Sequence, residues 1–315
     1  MAIDKKQRSS TLQKLGPLIG LLIITVILII ASPNFLTVNN ILNVFRQVSI
    51  NALIAFGMTF VILTGGIDLS VGATLALSGA LTAGLLNGGM DPLTAIIIGL
   101  VAGGVMGAIN GLLITKTKIA PFIATLATMT IYRGLALVYT DGRPITGFES
   151  ELFTLVGGGY FFGVPVPVII TIIIFAVLFF ILRKTTFGRN IYAIGGNEEA
   201  SLLSGIKTGR FKIYVYALTG LLSSLAGIIL TSRLNSAQAN AGTGYELDAI
   251  AAVVLGGTSL SGGKGWIVGT LVGALIIGVL NNGLNLLGVS SFYQQVVKGM
   301  VILLAVLLDR KKANS

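Results

Sequence analysis

The sequence contains neither cysteine nor histidine among its 315 residues. The absence of cysteine excludes disulfide bonds, and the absence of both residues excludes the common zinc sites and haem ligation by either side chain. Histidine is also the residue that most often performs acid–base catalysis, so catalysis by histidine is excluded as well. No cofactor and no metal site are expected.

Charged residues are scarce too. They make up 10% of the chain and hydrophobic residues 54%, whereas about a quarter of the residues in a soluble domain are charged. The mean hydropathy is +0.93, and apolar runs at 18–31, 165–182 and 296–308 approach or reach the length that a bilayer requires. The first run lacks a clear small-x-small cleavage site, so we interpret it as a retained helix and not as a secretory signal.

The hydropathy pattern predicts an all-α polytopic membrane protein with about ten membrane segments. The eighth segment is too short to span a bilayer alone, so it is expected to be a half-helix or part of a broken span. An even number of crossings places both termini on one side of the membrane. The predicted segments are 15–31, 48–64, 69–87, 93–115, 119–139, 165–182, 213–231, 247–257, 266–287 and 292–308.

The positions of the basic residues predict the orientation. A net charge of +10 would suit a nucleic-acid partner, but most Lys and Arg residues lie in short segments beside the predicted spans, as cytoplasmic retention of positive charge requires. No nucleic-acid partner is therefore expected. The predicted organisation is a cytoplasmic tail at 1–14, one transmembrane domain at 15–308 and a cytoplasmic tail at 309–315. A separate amphipathic helix is expected on the outer surface at 35–45.

The polar loop at 183–212 is longer than a chain needs to turn around between two spans, and basic residues on both sides place it in the cytoplasm. Its interior reads as a short capped helix. Asn197 suits the N-cap, Glu198 and Glu199 suit the positive end of the helix dipole, and Gly205 suits a left-handed stop. Such a helix could be a docking site for a partner or a stable surface turn. The predicted docking residues are Gly196, Asn197, Glu198, Glu199, Ala200, Ser201, Ser204, Gly205 and Ile206.

A glycine-rich motif occurs twice, at 65–72 and at 256–263, each time between two apolar runs. Paired glycine breaks are typical of transporters built from internal repeats, although the pattern leaves open whether the repeat is inverted or parallel. Asp68 either caps the next helix, the preferred interpretation, or binds a ligand. The candidate residues of a translocation pathway are Thr64, Gly65, Gly66, Asp68, Ser70, Gly256, Gly257, Thr258 and Ser259.

Several other features have simpler interpretations. Residues 258–265 depart from the spacing of a phosphate-binding loop, so the chain is predicted to have no nucleotide site and not to be an enzyme. Arg133 is expected to extend to the membrane surface, with a place in the pathway as the alternative. Glu246 and Asp248 are expected to mark the start of the eighth segment. The outer loop at 140–163 could receive a soluble partner, or it is a solvated connection.

With these motifs in hand, the chain resembles the permease subunits of bacterial ATP-binding cassette (ABC) importers for monosaccharides, and within that family it is most similar to ribose permeases. The stretches that carry the resemblance are 64–72, 121–126, 195–206 and 245–260. The resemblance implies a multi-pass protein of the bacterial cytoplasmic membrane that pairs with a second copy of itself. It also implies an ABC ATPase subunit and an extracytoplasmic sugar-binding protein as partners.

The resemblance further implies that the ATPase docks on the loop around Glu199 and Gly205, and that ribose or a similar monosaccharide is imported by alternating access. Ser201 stands where the family's docking loops usually have alanine. The alternatives are a permease for another small solute, such as another pentose or autoinducer-2, and a cation-coupled secondary transporter that uses Asp68. A membrane-embedded enzyme is disfavoured because the chain has no histidine, no cysteine and no close pair of carboxylates.

Overall fold

The computed structural model describes residues 2–148 and 150–313, with side chains described from residue 16 onward except at 305 and 308–313. Thirteen helices lie within this range. They are α1 Ala2–Ala31, α2 Val38–Leu63, α3 Val71–Asn87, α4 Pro92–Thr117, α5 Pro121–Thr140, α6 Glu151–Gly158, α7 Val166–Lys184, α8 Thr186–Gly196, α9 Glu198–Leu203, α10 Thr208–Leu234, α11 Tyr245–Leu255, α12 Ile267–Leu286 and α13 Ser291–Ala313.

Four strands of two residues each complete the fold, namely β1 Ile145–Thr146, β2 Tyr160–Phe161, β3 Val164–Pro165 and β4 Ser236–Ala237. β2 and β3 form an antiparallel hairpin. β1 pairs with β4, so that the segment after α5 is joined to the segment after α10. The predicted outer loop at 140–163 therefore contains a helix and two short ladders, and is not a simple connection.

Six helices are long and apolar enough to cross a membrane, which supports the prediction of a mostly helical, polytopic membrane protein. They are α2, α4, α5, α7, α10 and α12. Two shorter apolar helices, Gly16–Ala31 within α1 and Val71–Asn87, coincide with the first and third predicted segments. The eighth predicted segment coincides with α11, whose 11 residues extend only about 16 Å at the helical rise of 1.5 Å per residue.

Two helix predictions were wrong. The separate amphipathic helix predicted at 35–45 is the first part of α2, which runs without interruption from Val38 to Leu63. No proline or glycine interrupts the chain between Val38 and the buried part of α2, so the helix continues. The membrane segment predicted at 213–231 lies within α10, but α8 lies in a region where only α9 was predicted.

Glycines bring the central helices into close contact, as their spacing predicts. On α4, a Cβ at Gly103 would overlap Ser224, a Cβ at Gly107 would overlap the carbonyl of Tyr216, and α10 supplies both of these neighbours. On α12, Gly269 lies against Gly256 and Gly273 lies against Ala252. The backbone of α11 is thereby seated directly on α12. Large side chains from α2 fill the core between these helices, among them Leu53, Phe56, Met58 and Phe60.

The contacts with α12 give the directions of α2 and α11. The hydroxyls of Thr59 and Thr270 lie 2.8 Å apart, and Gly278, further along α12, lies against Val48, nearer the start of α2. Gly256 at the end of α11 lies at the level of Gly269, whereas the earlier Ala252 lies at the level of Gly273. Both helices therefore run antiparallel to α12 and parallel to each other. The two motif-bearing helices end on the same side of the bundle.

We call that side the α9 end, because α9 lies there, and the opposite side the α6 end. α9 is tied to the beginning of α10 by an ion pair in which the Lys212 ammonium and a Glu198 carboxylate oxygen lie 2.6 Å apart. α6 is tied to the other end of α10, where the Gly157 N–H donates to the Ser232 hydroxyl at 2.9 Å. The docking helix α9 and the outer-loop helix α6 thus lie at opposite ends of one helical bundle.

Candidate functional site

The short helix α9 is capped as the sequence predicts. The Asn197 side chain accepts a hydrogen bond from the Ala200 N–H at 2.9 Å, and Glu198 and Glu199 occupy the first turn, where their charge favours the helix dipole. Gly205 adopts a left-handed φ of +84°, and the Ile206 N–H donates back to the Ser201 carbonyl at 3.0 Å. These bonds close both ends of the helix.

The contacts of α9 divide its surface into an attached side and an exposed side. Glu198 is held by Lys212, and Ser201 is buried with its hydroxyl donating to the Asn197 carbonyl at 2.8 Å. Ser201 therefore faces the permease. Glu199 and Ala200 are exposed, and both are among the predicted docking residues.

Two leucines of α9 were not among the predicted docking residues. Leu202 is 53% exposed and Leu203 is 91% exposed. Two adjacent leucines in a polar loop, on a helix of 6 residues, were a signal that could have been used. A helix that short has no core of its own in which to bury them. Exposed apolar side chains beside acidic ones are typical of a protein-docking surface.

The two glycine motifs form the same backbone turn, but not in the predicted alignment. Gly65 has a φ of +79°, and the next N–H, that of Gly66, bonds the Val61 carbonyl. Gly257 has a φ of +87°, and the next N–H, that of Thr258, bonds the Val253 carbonyl. Each turn ends its helix with a left-handed glycine. Gly65 thus corresponds to Gly257, one residue later than the sequence comparison indicated.

Asp68 lies inside the first break and is 1% exposed. One of its carboxylate oxygens accepts from the Ser70 N–H at 2.9 Å, from the Ser70 hydroxyl at 2.7 Å and from the Asn110 amide at 3.4 Å. Asn110 also donates to the Ser70 hydroxyl at 2.7 Å. This network organises the turn that precedes α3 and links it to α4. The N-cap residue of α3 is Ser70, so Asp68 orders the turn before the helix and does not bond an N–H of the first helical turn.

The remaining pathway candidates supply mainly backbone. The Thr64 hydroxyl donates to the Val61 carbonyl at 2.8 Å and helps to end α2, while the carbonyl of Gly256 accepts from the Trp266 indole at 2.9 Å. Within the single chain only Gly65 and Gly257 of this set are exposed, and Ser259 is half-buried. A role in lining a pathway stays a prediction. The buried members are Thr64, Gly66, Asp68, Ser70, Gly256 and Thr258.

The first turn, the loop that follows the second turn and the segment before α9 contact one another. The Gly263 N–H donates to the Leu63 carbonyl at 3.0 Å. The Tyr192 hydroxyl, on α8, donates to the Gly265 carbonyl at 2.8 Å. Burial raises the pKa of Tyr192, against a smaller opposing effect of Arg183, so the phenol stays protonated and able to donate at neutral pH.

The expectation that Arg133 extends to the membrane surface was wrong, whereas a place in the pathway stays a prediction. Its guanidinium donates to the carbonyls of Ala239, at 2.5 Å, and Ala241, at 2.7 Å. These carbonyls belong to the non-helical segment at 235–244, which leads from α10 to α11 and contacts Gly72 of α3 through the Gly242 carbonyl. Backbone groups without helical partners inside a membrane protein need other donors. Arg133 supplies two of them.

Replacing Arg133 with Met should therefore loosen this segment and lower the thermal stability of the detergent-purified protein. Bonds from a charged donor are worth about 1.5–3 kcal/mol each, so we expect a fall in the unfolding midpoint of several degrees. Arg143→Met, which removes the same charge from an exposed position, is the matched control. Equal midpoints for the two variants would contradict the role of Arg133.

The acidic residues that begin α11 have different roles. Glu246 marks the start of the helix, as predicted, because its carboxylate accepts from the Gly244 N–H at 3.1 Å. Asp248 is 3% exposed and forms an ion pair with Lys298 of α13 at 2.9 Å. No local sequence pattern predicts this pair, which joins two separate helices.

The α6 end presents an open pocket and exposed aromatic side chains. The pocket has a volume of about 550 Å³ and is lined by residues of α6 and by Asn235. Phe161 and Phe162, at the tip of the β2–β3 hairpin, are exposed. This surface is suited to contact with another molecule.

Residues 40–306 match the family described as "Branched-chain amino acid transport system / permease component". The chain is 68% identical over 303 residues to the ribose import permease protein RbsC of Bacillus subtilis, covering 96% of this chain and 94% of that protein. It is 57% identical over 298 residues to RbsC of Escherichia coli K12, covering 94% and 93%. It is 43% identical over 300 residues to the L-arabinose transport system permease protein AraH of the same organism, covering 94% and 91%. No solved structure gives a significant match.

Proposed function

We propose that this chain, which belongs to the family of branched-chain amino acid transport system permease components, is the permease subunit of an ATP-driven ribose importer. The observation that carries the proposal is the 68% identity to a ribose import permease over nearly the full length of both chains. The chain is a multi-pass protein of the bacterial cytoplasmic membrane. As a transport subunit it is not itself an enzyme.

We infer that the chain crosses the membrane ten times, with both termini in the cytoplasm. In this arrangement the α9 end is cytoplasmic and the α6 end faces outward. The eighth crossing combines the non-helical segment at 235–244, held by Arg133, with the half-helix α11. Charge supports the orientation, because Arg183, Lys184 and Arg189 lie on one side of α9 and Lys207, Arg210 and Lys212 on the other.

We further propose that an ABC ATPase subunit docks on α9, that a sugar-binding protein docks at the α6 end, and that two copies of the chain form the pathway. α9 suits the first role because it is capped, fixed to α10 by an ion pair, and exposes Glu199 and Leu203. The exposed aromatic hairpin and the pocket beside α6 suit the second role. ATP binding would move α9 and shift the bundle between outward-facing and inward-facing states.

Ribose is preferred over another pentose because identity is higher to ribose permeases, at 68% and 57%, than to the L-arabinose permease, at 43%. Autoinducer-2 is a further alternative that none of these relatives supports. A cation-coupled transporter that uses Asp68 is disfavoured. The carboxylate is already engaged by Ser70 and Asn110, and the named relatives are import permeases.

The proposal is tested by reconstituting the permease in lipid nanodiscs with the ATPase and sugar-binding protein encoded beside it. We expect stable association with the ATPase, and hydrolysis that rises when ribose and the binding protein are present. Glu199→Lys should weaken ATPase association about tenfold or more, since charge reversal at an interface replaces attraction with repulsion. Glu151→Lys, the same change on α6, should leave ATPase association unchanged.

Glu198 requires a separate experiment because it is paired within the chain. Glu198→Lys removes the Lys212 pair as well as any contact with the ATPase. The exchange variant Glu198→Lys/Lys212→Glu should restore the attachment of α9 but not the charge that the ATPase meets. Absence of any ATPase binding by the wild-type chain would overturn the proposed function.

A further inference from the structure

Three separate backbone segments meet at the α9 end. They are the last turn of α2 at 63–66, the end of α8 at 195–196, and the loop at 262–265 that leads into α12. The Leu63 carbonyl accepts from the Gly263 N–H at 3.0 Å, and the Tyr192 hydroxyl holds the Gly265 carbonyl at 2.8 Å. Both glycine motifs are therefore in contact with the chain that carries α9.

Gly195 lies at the centre of this contact. A Cβ at this position would overlap the Leu63 carbonyl and lie 2.5 Å from the Gly263 nitrogen. Gly262 and Gly263 approach from the other side, and a Cβ on either would lie within 3.0 Å of backbone atoms of Gly195, Gly65 or Gly196. No side chain separates the three segments. We call Leu63, Gly195, Gly262 and Gly263 the glycine junction.

Backbone contact of this kind transmits displacement efficiently. Flexible side chains absorb a movement by changing rotamer, but backbones in van der Waals contact must move together or separate. Only Asn197 lies between α8 and α9, and α8 is anchored by the buried side chains of Ile191 and Ile194. A displacement of α9 therefore moves Gly195 as well, because few flexible residues lie between them. From Gly195 it reaches the end of α2 and the start of α12.

We propose that the glycine junction transmits the movement of the docking helix to both glycine turns, and that Gly195 is the positioning residue on which this coupling depends. The inference rests on the proposed function, since it concerns how ATP hydrolysis in the partner is converted into movement of the permease. It goes further by naming the contact through which the force passes and the two helices that receive it.

A role in coupling and a role in packing predict different results. If the junction only packs the fold, a change there lowers stability, and uptake and hydrolysis fall together. If the junction couples α9 to the helices, a variant that still assembles continues to hydrolyse ATP but moves less sugar for each ATP. The ratio of ribose taken up to ATP hydrolysed separates the two roles.

The first test compares Gly195→Ala with Gly209→Ala in the reconstituted importer. A Cβ at Gly209 makes only ordinary contact with Thr115, at 3.7 Å, so this variant controls for the added methyl group at the same end of the bundle. For Gly195→Ala we expect normal ATPase association and a fall of about tenfold or more in ribose taken up per ATP, within the range typical of coupling between sites. Gly209→Ala should match the wild type.

A second variant tests the coupling role even if Gly195→Ala does not assemble. Tyr192→Phe removes the bond to Gly265 without adding volume, and exposed Tyr214→Phe is its control. We expect Tyr192→Phe to lower uptake per ATP about threefold to tenfold, the range produced by losing one net hydrogen bond.

Unchanged uptake per ATP in Gly195→Ala overturns the junction's role and leaves the proposed function intact. If Gly195→Ala does not assemble, unchanged uptake in Tyr192→Phe overturns the role. Failure of the wild-type chain to bind the ATPase is a different result, because it removes the proposed function itself.

Discussion

Leu203→Asp is expected to weaken binding of the ATPase to the permease about 100-fold and to abolish uptake, while the permease itself folds normally. Leu203 is 91% exposed and makes no contribution to the core of the permease. Burying a leucine at an interface is worth about 1.5–3 kcal/mol, and a carboxylate in the same place adds the cost of removing a charge from water. Binding in nanodiscs, titrated with the ATPase, measures the loss.

Two controls separate docking from general damage. Leu203→Met keeps an apolar side chain of similar volume and should bind within about threefold of the wild type, as volume-conserving exchanges usually do. Leu287→Asp places the same charge on an exposed leucine after α12, at the α6 end, and should not affect ATPase binding. Undiminished ATPase binding by Leu203→Asp would show that Leu203 is not buried in the contact with the ATPase.

The helix that carries Leu203 was predictable because local residues specify it. Asn197 supplies the cap, the two glutamates favour the dipole, and Gly205 supplies the left-handed stop, all within ten positions of one another along the chain. The same holds for the apolar helices, whose hydropathy depends on composition alone. In each case the deciding interaction lies inside the segment, so it was visible in the sequence.

The missed features depend on contacts between distant segments. Arg133 bonds carbonyls more than a hundred positions away along the chain, and no local pattern marks those carbonyls as lacking partners. The sequence alignment of the two glycine turns was one residue out of register, because residue identity alone does not reveal which glycine adopts a positive φ. The helix predicted separately at 35–45 is continuous with the next span, and Val44 and Val48, on either side of the predicted gap, are both buried.

The repeated glycine motif at 65–72 and 256–263 predicted two related helix breaks, but their relative orientation required the structure. The contacts of α2 and α11 with α12 establish that the two helices are parallel, which brings both turns to one end. That placement allows a single segment, the one before α9, to contact the end of α2 and the loop that follows the second turn.

The ion pair between Asp248 and Lys298 supports the largest stability prediction. Asp248 is 3% exposed and Lys298 is 28% exposed, and the pair joins the half-helix α11 to α13. Removing one member of a buried pair leaves the other charge without compensation, at a cost of about 3–5 kcal/mol. Lys298→Met should therefore lower the unfolding midpoint by roughly five to eight degrees, whereas exposed Lys264→Met should have little effect.

The loss of stability should be unequal for the two partners and should be smaller when both are replaced than when only Lys298 is replaced. Asp248→Asn leaves only the more exposed ammonium unpaired, so we expect a smaller loss than for Lys298→Met. Asp248→Asn/Lys298→Met removes both charges and should recover part of the wild-type midpoint, because no buried charge is then left without compensation, although the new amide lacks its former partner. Thermal unfolding of the four proteins in one detergent completes the cycle. A double variant no more stable than Lys298→Met would mean that the two side chains do not compensate each other, and that α11 is held against α13 by its apolar contacts alone.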